Sequence, residues 1–127
     1  MSTLIKNVPI AKVGKIFDGR EVTRHILKRC VETFNPEIYQ PPVSFFSDKT
    51  EVRGGVVALR LEDDTLLADI RTAASPGTVK RWNLYPYIGY MPTSEPGCPA
   101  LTGVYLSKTK SRADDIAIKD CNISKGD

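Results

Sequence analysis

Val52-Arg53-Gly54-Gly55-Val56-Val57-Ala58-Leu59-Arg60-Leu61-Glu62, followed by Asp63-Asp64 and then Thr65-Leu66-Leu67-Ala68-Asp69-Ile70-Arg71, is the stretch on which the fold turns. Val57, Leu59 and Leu61 alternate with Ala58, Arg60 and Glu62, the period-two pattern of a half-buried strand. Gly54-Gly55 inside the run suggests a bulge or bend, because glycine there weakens regular pairing. Beyond the acidic pair, Leu66, Ala68 and Ile70 alternate with Leu67, Asp69 and Arg71. Two alternating runs across a two-residue turn predict a β-hairpin.

Downstream, Ser75-Pro76 reads as a helix start, with Ser as cap and Pro at the first helical position. Gly77 shortens that helix, which is expected to reach Asn83. Leu84 to Met91 is a strand rich in Tyr85, Tyr87 and Tyr90, and these with Trp82 suit an interface or a core equally. A loop carrying Pro92, Pro96 and Pro99 follows, then a strand from Leu101 to Leu106. Lys108, Lys110 and Arg112 make an exposed basic loop, for which solvation is the default reading. Ala113 to Lys119 offers a last strand with Ile116 and Ile118 inward, and residues 121–127 a terminal tail.

Upstream, Gln40-Pro41-Pro42 is an extended linker, since each Pro restricts the residue before it. A short strand from Val43 to Ser47 follows it. Asp18-Gly19 is a turn signal and Thr23 a helix cap. Ile26, Leu27, Cys30, Val31 and Phe34 then form one apolar stripe, with Arg24, Lys28, Arg29 and Glu32 largely on the other side. Asn35-Pro36 stops that helix. Pro9 to Phe17 reads as a strand and residues 1–8 as an N-terminal arm. Residues 9–120 therefore form a single domain of α+β class, a small mostly antiparallel β-barrel or sandwich flanked by two helices.

Composition restricts the function. The chain of 127 residues carries 18 basic and 15 acidic side chains, a net charge of +3 that does not by itself argue for nucleic acid. Its aromatics are not interleaved with basic residues, so nucleic acid is not expected as a partner. No apolar run approaches the roughly 18 residues of a membrane span, and the N-terminus lacks a signal-peptide pattern. Cys30, Cys98 and Cys121 have neither the spacing of a zinc site nor an even count. With His25 the only histidine, no metal and no cofactor are expected.

Asp18-Gly19-Arg20, the cap Thr23, Phe34-Asn35-Pro36, Tyr39, Gly54-Gly55, the strand to Leu61, Asp63-Asp64 and Leu66-Leu67-Ala68 occur in this order and spacing. The segment from Asp18 to Ile70 thereby resembles the prohead serine proteases of tailed phages, the capsid-scaffolding protease family. The resemblance covers about two thirds of the chain when the tyrosine-rich strand is counted, and rests on order and spacing rather than on one motif. It implies a prohead-protease-like fold and acyl transfer by Ser, His and Asp, in which a base activates the serine and a carboxylate holds the base.

Asp18 matches the family's Asp. The position of the His falls on Ser47, eight residues beyond Tyr39, and that of the Ser falls near Tyr87, where no Ser, Thr or Cys lies between Leu84 and Met91. His25 lies within the first helix and is a poor substitute. These three positions, Asp18, Ser47 and Tyr87, are read as vestigial, with a plain turn role favoured for Asp18, and the chain as a protease relative that does not cut. The family's long helical scaffold extension has no counterpart after Asp127. The expectation is a capsid decoration or cement subunit, made in the bacterial cytoplasm and retained in the virion. Its partners would be the major capsid protein and further copies of itself. The alternative is a protease-derived scaffold or assembly factor inside the prohead; a working hydrolase with a displaced site is a more distant third. Met1, Ser2, Thr3, Leu4 and Ile5 of the arm, with Pro92, Pro96 and Pro99 of the loop, are the expected interface.

Overall fold

The computed structural model describes residues 2–17, 19–46, 48–91 and 99–126. In chain order these form β1 (Ser2–Lys12), β2 (Gly14–Lys15), β3 (Glu21–Val22), α1 (Arg24–Glu32), β4 (Pro42–Phe45), β5 (Asp48–Glu62), β6 (Thr65–Thr72), α2 (Pro76–Val79), β7 (Tyr85–Tyr90), β8 (Leu101–Ser107), a 3-10 turn at Ile118–Asp120 and β9 (Asn122–Gly126). One seven-stranded sheet runs β7-β8-β4-β5-β6-β1-β9, and β2 with β3 makes a separate ribbon. Neighbours in the large sheet are antiparallel except β4 and β8, which are parallel.

The predicted hairpin forms as β5 and β6. Glu62 pairs with Thr65 across the turn, and Asp63 takes the left-handed conformation at φ 53°. On β6, Leu66, Ala68 and Ile70 face the core as their alternation requires. On β5 the alternation breaks: Val56, Leu59 and Leu61 turn inward. A bulge between Val56 and Ala58 inserts one extra residue, which moves Val57 off the inner face. Gly54 is needed for close approach, because a Cβ there would strike the Arg71 carbonyl oxygen.

The helical stripe is also as read. Leu27 and Cys30 are fully buried, and Ile26, Val31 and Phe34 pack against the core. The Thr23 hydroxyl accepts from the Ile26 N–H at 3.2 Å. The Ser75 hydroxyl caps α2 from the Thr78 N–H.

The architecture differs from the α+β barrel or sandwich expected from the sequence. The chain is 50% strand and 14% helix, a mostly-β protein with one large mixed sheet and, among the described residues, no closed barrel and one helix longer than a single turn. The second helix ends at Val79 rather than Asn83, because Gly77 and the β-branched Thr78 and Val79 support helix poorly. The barrel stays open because β1 divides its outer flank. It pairs with β9 only from Ser2 to Lys6, and Asn7, at φ 57°, then breaks the register. Beyond that point no ladder joins β1 to β7 among the described residues, although the two strands approach each other.

Both terminal assignments also change. Residues 2–8 are not an arm: they belong to an inner strand whose Thr3, Ile5 and Val8 are at most 1% exposed. Residues 122–126 are not a tail, since β9 pairs with β1. Residues 113–117 form no strand. The Asp115 carboxylate instead accepts from the Ser111 and Arg112 N–H groups at 2.7 and 3.0 Å, which closes a turn. Ile118 is buried as expected, whereas Ile116 is 45% exposed.

Candidate functional site

Where the sheet fails to close, a cleft of about 290 Å³ separates β7 from the end of β1 and the β2–β3 ribbon. Ile10 and Ile88 supply its apolar lining, with Val22, Pro86, Tyr87 and Tyr90 around them. On the far side of Tyr87 lies a wider depression of about 810 Å³, lined by Phe17, Phe46, Tyr105, Arg20 and Lys110 among others.

Local structure places these side chains. Pro86 and Ile88 point to the core, so Tyr85 and Tyr87 stand on the outer face, as alternation requires. There the Tyr87 ring meets Phe46 at 5.5 Å and Tyr105 at 5.4 Å between centroids. Lys110 lies over the Tyr85 ring at 5.4 Å. Trp82 takes the opposite role, packing against the core and edge-on to Phe45 at 5.6 Å. The aromatic segment is thus divided between core and surface.

The ribbon that walls the cleft packs Val13 and Val22 against the core and is tied down by hydrogen bonds. The Phe17 N–H donates to the Ser111 carbonyl at 2.8 Å, and Val13 N–H to the Asp64 carbonyl at 2.9 Å. Arg112 Nη1 donates to the carbonyls of Lys12 and Val13 at 3.2 Å each. Its Nε donates to Asp114, which also accepts from Lys12 at 3.1 Å. The hydrogen bonds from Lys12 and Arg112 hold the Asp114 carboxyl below its usual range. Arg112 is therefore a structural clamp and not part of an exposed basic loop, whereas Lys108 and Lys110 are exposed.

Of the three sequence-derived positions, Asp18 and Ser47 lie outside the described residues. Their neighbours Phe17 and Phe46 line the same depression as Tyr87, so the chain brings those segments together. Burial raises the Tyr87 phenol, Tyr105 adds to this, and Arg20 opposes it. The only histidine, His25, is exposed on α1. Ser44 Oγ is buried with no hydrogen-bond partner among the described residues, but it is held inside the sheet between β5 and β8. Among the described residues no three His, Cys, Asp or Glu side chains gather as a metal would require, and no helix is long and apolar enough to cross a membrane.

For the expected interface, Met1, Pro92 and Pro96 lie outside the described residues. Thr3 and Ile5 are buried in the sheet and unavailable to a partner, while Ser2 and Leu4 are half-buried in β1. Pro99 is half-buried just before β8. Exposed apolar groups lie elsewhere: Phe17 is 69% exposed, Phe46 51% and Met91 61% on this side, while Ile38 at 71% and Val52 at 59% are not among the lining of either depression. Sequence reading missed Phe17 and Phe46 because each adjoins a strand end, where alternation does not say which side a ring takes.

No family model matches the chain, and no curated protein matches it.

Proposed function

We propose that the chain is a non-enzymatic structural protein of a phage virion, a capsid decoration or cement subunit acting through its aromatic face. The observation that carries this reading is the Tyr87 ring, packed between Phe46 and Tyr105 at the position to which the family resemblance assigns a nucleophile. Burial shifts its phenol upward, away from the ionised form that nucleophilic attack would use. The segments flanking the Asp and His positions meet at the same depression, and there they present Phe17 and Phe46 to solvent. Exposed aromatics beside cations suit protein recognition, since such groups dominate interface energetics. The partner in this reading is the major capsid protein. Weak contacts of this kind become effective when copies of the subunit bind a repeating lattice.

The test compares purified virions with unexpanded proheads of the encoding phage by mass spectrometry. Retention in virions, with Phe17→Ser/Phe46→Ser reducing sedimentation with expanded heads, is the expected result. Presence in proheads and absence from virions replaces decoration with an assembly factor acting inside the head.

A further inference from the structure

We propose that the cleft between β7 and the end of β1 is a binding site for a small uncharged aromatic molecule of one or two rings. Its floor is apolar. Ile10 and Ile88 are 3% and 8% exposed, and Ile16, Val22 and Pro86 complete the lining around them. A cavity of about 150 Å³ walled by such side chains is large enough for benzene. At about 290 Å³, the cleft has room for a pair of fused rings. Ile16, Tyr87, Tyr90 and Ser111 line the wider depression as well, so the cleft opens into it and a ligand has a way in.

Width decides against a polypeptide strand. Cα atoms of β1 and β7 lie within 8 Å of each other at several positions. A strand inserted between them would need about 9–10 Å, twice the spacing of neighbouring strands. Neither an extended peptide nor the edge of a second copy therefore fits there as a further strand, whereas a flat ring does.

Charge decides against an ion, because the charged groups on the lining are already matched. Lys12 donates to Asp114 at 3.1 Å, and Arg112 donates to Asp114 and to the Lys12 and Val13 carbonyls. Asp115 accepts from two backbone N–H groups. Glu21, exposed on the ribbon, stands opposite Lys15 in register, and Arg20 is engaged as well. A charged ligand would lose hydration here without gaining an unmatched partner. The remaining polar groups on the lining are the hydroxyls of Tyr87, Tyr90 and Ser111, which hydrogen-bond without carrying charge. A neutral ring system with one polar edge, such as indole, suits both the floor and these hydroxyls.

The probe is indole, added to the full chain. It should shift the methyl resonances of Ile10 and Ile88 saturably and raise the melting temperature. Indole carboxylate, which adds a charge to the same rings, should bind about tenfold more weakly. Val22→Phe, which fills the cleft from the ribbon side, should cut indole binding by about tenfold or more in a folded protein. Ala11→Val fills the same space with a smaller change and should weaken indole several-fold, which keeps the test open if Val22→Phe unfolds.

No saturable shift, equal or tighter binding of the carboxylate, or undiminished binding in a folded, filled variant would each overturn the site. Shifts confined to Phe46 and Tyr105 would move binding to the outer depression and overturn it as well. Methyl shifts at Ile10 and Ile88 that grow with protein concentration alone would overturn it in favour of a side chain from a second copy. Ligand binding in the cleft does not depend on capsid binding at the aromatic face. Capsid binding without indole binding removes the cleft ligand only, and indole binding by a protein absent from virions removes the virion reading only.

Discussion

The Arg112 guanidinium occupies the space that a side chain on Gly14 would need: a β-carbon there would lie 2.9 Å from Nη1. Gly14 also sits at φ +134°, a conformation that side chains disfavour. With its hydrogen bonds to the Lys12 and Val13 carbonyls, Arg112 joins the loop after β8 to the end of β1 and helps set the wall of the cleft. Gly14→Ala should lose about 2–3 kcal/mol of stability in urea unfolding, from backbone strain and displacement of the guanidinium. A variant as stable as the parent would mean that the ribbon is not pinned there.

Removing residues 1–8 should abolish cooperative unfolding. The deletion takes Thr3, Ile5 and Val8 out of the core and leaves β6 and β9 without the strand between them. Thermal melting followed by circular dichroism checks this. A retained sharp transition would restore the arm that the amino-acid pattern suggested.

Leu27→Ala should destabilise by about 2–5 kcal/mol, because a fully buried leucine leaves a cavity. Arg24 is exposed and pairs with Asp64 at 3.0 Å, so Arg24→Ala should cost under about 1 kcal/mol. Similar losses for the two would place the helix the wrong way round.

Burial pushes the Cys30 thiol from 9.0 up to about 11. Its contribution to stability is therefore full below pH 9.0 and is lost as pH rises through about 11, since the unfolded thiol ionises first. The melting temperature should fall across that window, and less steeply in Cys30→Ala. Iodoacetamide at pH 8 should leave Cys30 unmodified in the folded protein; rapid alkylation would contradict the burial.

A fluorophosphonate probe should label no serine of the folded chain. His25 is exposed on α1, and Ser44 is enclosed in the sheet. Labelling of one serine, abolished by its replacement with Ala, would instead establish a nucleophile and overturn the non-enzymatic reading.

Much of the local structure was legible in the amino-acid order. The Asp63-Asp64 hairpin, the Thr23 and Ser75 caps and the stripe through Leu27 and Cys30 depend on neighbours a few residues apart. Their signals are written in adjacent residues. The bulge at Val57 was signalled only indirectly, by Gly54-Gly55, because which residue is extra depends on the strand it pairs with.

The sequence by itself therefore determined the hairpin, the amphipathic first helix, no run suited to a membrane helix and one histidine, whereas the α+β barrel or sandwich flanked by two helices that it suggested gave way to a mostly-β fold. Tertiary structure alone decided that Ser2–Lys6 pairs with Asn122–Gly126, because that pairing joins the chain's two ends and carries no local pattern. It also decided that Arg112 clamps the ribbon at Gly14, and that among the described residues β7 pairs with β8 but not with β1. The cleft lies where β7 and the end of β1, far apart in the chain, approach without pairing among the described residues, and alternation within either strand does not encode that approach.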